Sequence, residues 1–182
     1  MAIIPETFTA QAFITTDLDD NQITAFHPGA MNSSQVNHVA DASDVKLGIV
    51  APDGREAMLQ HAQEFAEAGI PFVFDPGQNL PLFDGPELAA MVDQASWVAV
   101  NDYEGRMLCE RIGTTLEALS RRPNLKGVIV TLGDQGCELW QQGQRIHVPG
   151  VVASGIPTTA SQWSDCRSTM TGVPSSAARG AA

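Results

Sequence analysis

Basic residues are few in this 182-residue chain: ten Lys and Arg stand against 21 Asp and Glu, for a formal net charge of −11. The ten are scattered, which excludes the clustered basic surface that nucleic acid or an anionic membrane requires, so neither partner is expected. Long-range steering of a polyanionic substrate is also weak, so any phosphate site has to rely on local dipoles and a metal. Cysteine is scarce. Cys109, Cys137 and Cys166 form neither a C-x-x-C pair nor an even framework, as expected for a reducing compartment. No run approaches the ~20 apolar residues of a membrane span, and residues 1–12 lack the basic and apolar regions of a signal peptide. The expectation is a soluble, cytoplasmic protein. The four histidines (His27, His38, His61, His147) show no ligand spacing, which argues against a histidine metal cluster. The acidic stretch Asp17–Asn21 lacks the Gly and terminal Glu of a calcium loop, so it reads as a solvated hairpin tip.

What is present fits one domain with a sizeable core, since 43% of residues are hydrophobic and 17% charged. Gln11–Thr16 and Gln22–His27 are apolar or β-branched runs flanking that polar tip, the pattern of a β-hairpin. From Lys46 onward, short apolar strands alternate with helical patterns. Lys46–Val50 precedes Asp53 and Glu56, spaced as a capping box, and Met58, Ala62, Phe65, Ala66 and Ile70 share a helical face that ends at Gly69. Pro71–Phe74 is the next strand, followed by Asp84 and Glu87 capping a second helix. Trp97–Val100 leads into a helix capped by Asn101 or Asp102, and Thr114 with Glu117 opens another. Gly127–Leu132 is a strand, and Cys137–Trp140 with Gln144–Val148 form a hairpin around Gln141-Gln142-Gly143. Continuously apolar strands separated by helices imply a mostly parallel sheet covered on both faces, a three-layer α/β/α sandwich. From Gly155 to Ala182 there is neither Leu nor Phe, and that segment is expected to be a disordered or diverged tail.

Two turns stand at strand ends, where ligands bind in such sheets. Asn101-Asp102-Tyr103-Glu104 places an amide and a carboxylate three residues apart, a pair able to organise hydrated Mg²⁺ beside phosphates. Thr131-Leu132-Gly133-Asp134-Gln135-Gly136 is a turn whose backbone N–H groups can cradle phosphate oxygens. Plainer accounts exist for each. Asn101 and Glu104 are also a helix N-cap and a first-turn acid that complements the helix dipole. Gly133 and Gly136 also suit any tight turn that needs positive φ. Asp75, at the end of its strand, is read as capping the Pro76-Gly77 turn rather than as a ligand contact.

In this order and spacing, the motifs resemble the middle of a PfkB-family carbohydrate kinase, the ribokinase-like group that includes adenosine kinase. The resemblance runs from about Gln11 to Val152, with weaker support from Pro28-Gly29-Ala30 and Asp75. It implies a partial ribokinase-like kinase domain over residues 1–154. The implied activity is transfer of the γ-phosphate of ATP to a hydroxyl of a sugar or nucleoside. Asn101 and Glu104 would then position Mg²⁺, with Glu104 facing the metal, while Thr131, Gly133 and Gly136 would shape the nucleotide-phosphate turn. An exposed hairpin edge at Gln11–His27 is open to pairing with another chain, so a homodimer is also expected.

The departures from that pattern bear on activity. Family members run to about twice this length, beyond a typical single-domain scale, and their amino-terminal part supplies most of the acceptor pocket. After the final hairpin the family carries a Gly-Ala-Gly-Asp-like segment whose Asp deprotonates the acceptor. Here the corresponding stretch reads Val151-Val152-Ala153-Ser154-Gly155-Ile156-Pro157-Thr158-Thr159, and no Gly-x-Gly-Asp follows. Asp165 lacks the preceding glycines, and Asp134 lies at a variable position of the phosphate turn. No residue of this chain is therefore assigned as the catalytic base. The chain is expected to be an inactive kinase fragment, or one whose end has diverged or been read out of frame. The alternative is a non-catalytic nucleotide-binding or interaction module derived from the kinase scaffold.

Overall fold

A computed structural model of the chain describes residues 3–17 and 22–151; the expected tail at 155–182 and the hairpin-tip residues 18–21 lie outside them. The chain divides into two compact units, Met1–Ser96 and Trp97–Ala182.

The first unit opens with the hairpin of β1 (Gln11–Thr16) and β2 (Gln22–His27), antiparallel with Gln11 opposite His27. Both strands are exposed along their whole length, and Phe13, Ile14, Ile23 and Phe26 carry apolar surface on both faces. Two 3-10 segments follow, Gly29–Val36 and Val39–Asp41. Then come β3 (Gly48–Val50), α1 (Arg55–Glu67), β4 (Phe72–Phe74), a 3-10 turn at Gly77–Leu82 and α2 (Gly85–Gln94). β3 and β4 pair in parallel, Gly48 beside Phe72 and Val50 beside Phe74. The core holds Met58, Phe72, Phe74, Leu80, Phe83, Leu88 and Met91, each 1% exposed or less. Removing one such side chain from water is worth about 1.5–3 kcal/mol.

Local signals are legible in this unit, with one correction. The Asp84/Glu87 capping box is present: Asp84 Oδ1 accepts the Glu87 N–H at 2.9 Å, and Glu87 Oε2 accepts the Asp84 N–H at 3.1 Å. The Asp53/Glu56 box does not form. Gly54 caps α1 with no side-chain bond. The Asp53 carboxylate instead accepts the Gly54 N–H at 2.7 Å and the Ser34 hydroxyl at 2.8 Å. A tertiary contact with the Met31–Ser34 segment has claimed the side chain that the local pattern assigns to the helix. The far end of α1 matches expectation, with Gly69 at φ +65° and the Ile70 N–H donating to Phe65 O at 2.9 Å. On its apolar face Met58 and Ala62 are buried and Phe65 stacks on Phe72 at 5.6 Å, while Ala66 is exposed and Ala57 is buried in its place.

The second unit contains β5 (Trp97–Asn101), α3 (Asp102–Ile112), α4 (Leu116–Leu119), β6 (Gly127–Thr131), β7 (Cys137–Gln141) and β8 (Gln144–Val148). β5 and β6 are parallel, whereas β6–β7 and β7–β8 are antiparallel. Val98–Val100 and Gly127–Val130 are continuously buried, the mark of strands covered on both faces. The β7–β8 turn is Gln142-Gly143, both at positive φ as a two-residue hairpin demands. Buried Ser120 anchors it, accepting the Gln142 N–H through its carbonyl and the Gly143 N–H through its hydroxyl. α4 is capped by Thr115 rather than Thr114: Thr115 Oγ1 accepts the Ala118 N–H at 3.2 Å, while the Thr114 N–H closes α3 on Cys109 O at 2.9 Å.

Within the first unit, α1 holds the 3-10 segments by a polar cluster. Glu64 Oε1 lies 2.6 Å from His38 Nδ1 and its Oε2 accepts the Val39 N–H at 2.7 Å. Gln60 Nε2 donates to Gln35 O and Asn37 O, and His61 Nε2 donates to Asn37 O. The hydrogen bond and charge of Glu64 raise the His38 pKa above its ordinary 6.5. Burial pushes the Glu64 carboxyl up, but the bonds from His38 and Val39 outweigh it and hold the pKa below 4.5. The two signs define a window. The His38 contribution is complete below 6.5 and fades as pH rises through the raised folded value. The Glu64 contribution is complete above 4.5 and fades as pH falls through the lowered folded value. Thermal melts of wild type and Glu64→Gln across pH should therefore differ most between pH 4.5 and 6.5, with the gap narrowing on both sides. Because the pair is largely exposed, added salt should shrink the gap.

Candidate functional site

The parallel register of β5 and β6 sets Asn101 directly beside Thr131, so both strands deliver their motifs to one sheet edge in the second unit. Asn101 leaves the strand and becomes the N-cap of α3. Its Oδ1 accepts the Glu104 N–H at 2.8 Å, and Glu104 Oε2 accepts the Asn101 N–H at 2.8 Å. The plainer account of this pair, a capping box, is thus correct as geometry. It does not use up the chemistry. The reciprocal bonds occupy one carboxylate oxygen of Glu104, and Oε1 has no hydrogen-bond donor among the described residues. Glu104 is half-buried beside the positive end of the helix dipole. Gly105 follows it, buried, where a Cβ would lie 3.3 Å from Val100 Cγ2; its small size keeps the first turn of α3 close to the strand.

The second motif turns through Gly133–Gln135 after β6. Its internal bonds run from Leu132 N–H to Gly136 O at 2.8 Å, Gln135 N–H to Leu132 O at 3.2 Å and Gly136 N–H to Gly133 O at 3.2 Å. The N–H groups of Gly133 and Asp134 take no part in these closing bonds, leaving two adjacent donors to receive an anion. Gly133 is exposed at φ +61°, and the space a side chain would fill is open. Gly136 differs. At φ +96° it lies against the backbone of Val148–Gly150, where a Cβ would be 2.6 Å from Pro149 C. The two glycines therefore answer different demands, one for access and one for close packing.

Among the described residues no group of three or more His, Cys, Asp or Glu could hold a metal ion. Such a cluster is not what Mg²⁺ requires, since that ion keeps several waters and is bound by one or two carboxylates with substrate phosphates. Glu104, with one oxygen fixed by the cap and the other turned to no protein donor, fits such a role. The N–H pair at Gly133 and Asp134 fits phosphate oxygens. Thr131 is half-buried at the same edge. Asp75 belongs to the first unit, where its N–H donates to Val50 O at 2.9 Å and Gly77 follows at φ +48°. Asp165 lies outside the described residues. Sequence reasoning missed the Val148–Gly150 segment behind the phosphate turn. The only trace of it was a Pro-Gly pair directly after a strand.

A strand-end carboxylate cap thus stands beside a glycine turn at one edge of an α/β scaffold, with the Gly133 and Asp134 N–H groups left out of the turn's closing bonds. The profile of the pfkB family carbohydrate kinases matches residues 1–158, and the chain belongs to that family. Its fold is ribokinase-like, with a mostly parallel sheet, flanking helices and a separate antiparallel hairpin at the N-terminus. The chain is similar to a solved Burkholderia thailandensis nucleoside kinase in complex with inosine, with 48% identity, a TM-score of 0.79, and coverage of 84% of this chain and 50% of that one. A Methanocaldococcus jannaschii nucleoside kinase superposes with a TM-score of 0.74 at 25% identity over the same shares. Among curated proteins, fructokinase-1 of Oryza sativa is 27% identical over 168 residues, 83% of this chain and 52% of its own length. The chain spans about half the length of the curated relatives it matches.

The capping box gives the site a measurable mechanical role. Asn101→Ala should lower unfolding stability in urea by about 1 kcal/mol, whereas Asn101→Asp, an equally good cap, should restore most of it. Equal loss in both variants would mean that the Asn101 amide nitrogen, rather than its capping oxygen, carries the effect.

Proposed function

We propose that the second unit carries the nucleotide-phosphate half of a kinase site, serving transfer of the γ-phosphate of ATP to a hydroxyl of a nucleoside or sugar. The observation that carries this reading is the register match of Asn101 with Thr131, which brings the Glu104 cap and the Gly133–Asp134 donors to one edge. A nucleoside is the preferred acceptor, because the Burkholderia relative that is 48% identical is described in complexes with inosine and with ADP-inosine. Asn101 fixes the Glu104 carboxylate by the capping bonds, and Glu104 is the residue that would hold hydrated Mg²⁺ near the phosphates. Gly133 and Asp134 N–H groups donate to phosphate oxygens, and Thr131 sits beside them at the strand end. When bound, Mg²⁺ supplies charge neutralisation at the phosphates and ATP supplies the transferred group.

The same reading holds that this chain alone binds nucleotide without useful turnover. No Gly-x-Gly-Asp segment follows β8 in the sequence. A positioned base contributes ~10²–10⁴-fold and an oxyanion-type donor about 10²–10³-fold, so losing both leaves little catalysis. A non-catalytic nucleotide-binding module is the second reading, favoured by that same missing segment.

Calorimetry with ATP and Mg²⁺ should give weak binding whose metal-dependent part falls in Glu104→Gln. The amide keeps an oxygen for the Asn101 N–H, so the fold should change by only a few tenths of a kcal/mol while the charge facing the metal is lost. Metal-dependent binding untouched by Glu104→Gln would remove Glu104 from the site. ADP release should show no dependence on inosine or fructose; robust acceptor-dependent turnover would overturn the inactive reading.

A further inference from the structure

The antiparallel pairing of β7 with β8 sets Cys137 opposite Val148, so the chain leaving β8 runs back alongside the phosphate turn. Pro149 comes next and has no N–H, which ends the ladder there instead of letting it continue past Gly136. Gly150 follows and lies flat against the turn. A Cβ on Gly150 would overlap the carbonyl oxygen of Asp134 and lie 3.1 Å from its carbonyl carbon and 3.3 Å from Gly136 N. From the other side, a Cβ on Gly136 would overlap the Val148 carbonyl oxygen and lie 2.5 Å from Gly150 N. Every one of these neighbours is backbone, which cannot swing aside as a long side chain could. Two segments some fifteen residues apart are thus in mutual contact through glycines, at the Asp134–Gln135 and Gln135–Gly136 peptide units, directly after the one that carries the Asp134 N–H.

We infer that Pro149-Gly150 is a positioning element for the phosphate turn: a backbone brace that sets the aim of the Gly133 and Asp134 N–H groups. This rests on the nucleotide reading above and adds a residue to it. Gly150 touches neither phosphate nor metal in this account. It acts through Asp134, whose carbonyl it packs against and whose own N–H, on the preceding peptide unit, is one of the two donors. A methyl group at position 150 has to push the Asp134 carbonyl away, which rotates the backbone at Asp134 and tilts the N–H on the other side of its Cα, and displacement of donors by about 1 Å can cost up to 10²-fold where geometry is demanding.

The test uses the full chain labelled with ¹⁵N, with ATP and Mg²⁺ as the probe. In wild type, ATP should shift the amide resonances of Gly133 and Asp134, and that of Gly150 with them. Gly150→Ala should weaken ATP affinity about tenfold or more, and it should displace the Gly133 and Asp134 resonances even without nucleotide. Gly69→Ala, at a helix end in the other unit with open space around the site of its missing Cβ, should cost stability but leave affinity unchanged. Should Gly150→Ala fail to fold, the wild-type titration decides alone: shifts at Gly133 and Asp134 with Gly150 unmoved overturn the brace. Undiminished affinity in a folded Gly150→Ala also overturns it while sparing the nucleotide reading. Absence of any ATP-dependent shift at Gly133 and Asp134 sinks the nucleotide reading, and the brace as a positioning element falls with it.

Discussion

The parallel pairing of β5 with β6 is the constraint on which the proposed phosphate-facing edge depends. Its register pairs the buried residues Val98–Val100 with Val128–Val130 and carries Asn101 and Thr131 to the strand ends side by side. A slip of one residue would move every side chain to the opposite face of the sheet. It would also separate Asn101 from Thr131, and with them the carboxylate cap from the turn. Gly105 extends the same logic by one turn, letting α3 start close against Val100 so that its N-terminus opens at the strand end.

Local structure and the proposed binding chemistry use different atoms of the same residues here, so they do not compete. A capping box needs one carboxylate oxygen and one amide oxygen; Glu104 retains Oε1 and Asn101 its Nδ2 for other partners. The cap also fixes the rotamer of Glu104 in advance, so no side-chain entropy, of order 1–2 kcal/mol for Glu, remains to be lost when a cation arrives. The turn behaves alike. Its three internal hydrogen bonds hold the loop closed, and the two N–H groups they omit are adjacent to one another. An N-cap with a first-turn acid is thus a sufficient account of the fold and also a precondition of the proposed chemistry.

Much of this was legible in the sequence because the signals are short-range. The hairpin bounds Gln11–Thr16 and Gln22–His27 and the Asp84/Glu87 box follow from alternation and capping patterns within a few residues. The Asn101/Glu104 and Thr131–Gly136 turns were legible for the same reason. The failures came where distant chain segments intervene. Asp53 was expected to cap α1, but Ser34, nineteen residues earlier, takes its carboxylate, and no local rule anticipates that. Thr114 belongs to the closing turn of α3, where its N–H bonds Cys109 O, and the cap of α4 falls one residue later, on Thr115. Gly150 carries no positive φ and belongs to no motif, so its role is visible only once the Asp134 peptide is seen against it.

The proposed division between phosphate edge and base also explains how such an edge could persist without catalysis. Donors at Gly133 and Asp134 and a carboxylate facing hydrated metal would grip the ground state of bound ATP nearly as well as its transition state. Interactions of that kind lower the dissociation constant without accelerating the chemical step. The acceleration comes from groups that act as charge and protons move, the base and the helix-end donors of a Gly-x-Gly-Asp segment. Separating them predicts a protein in which nucleotide affinity is retained and rate is not. In that case the stiffness of the turn, set by the contact of Gly136 and Gly150, would still matter, because affinity for a phosphate group depends on where the two N–H groups point before it arrives.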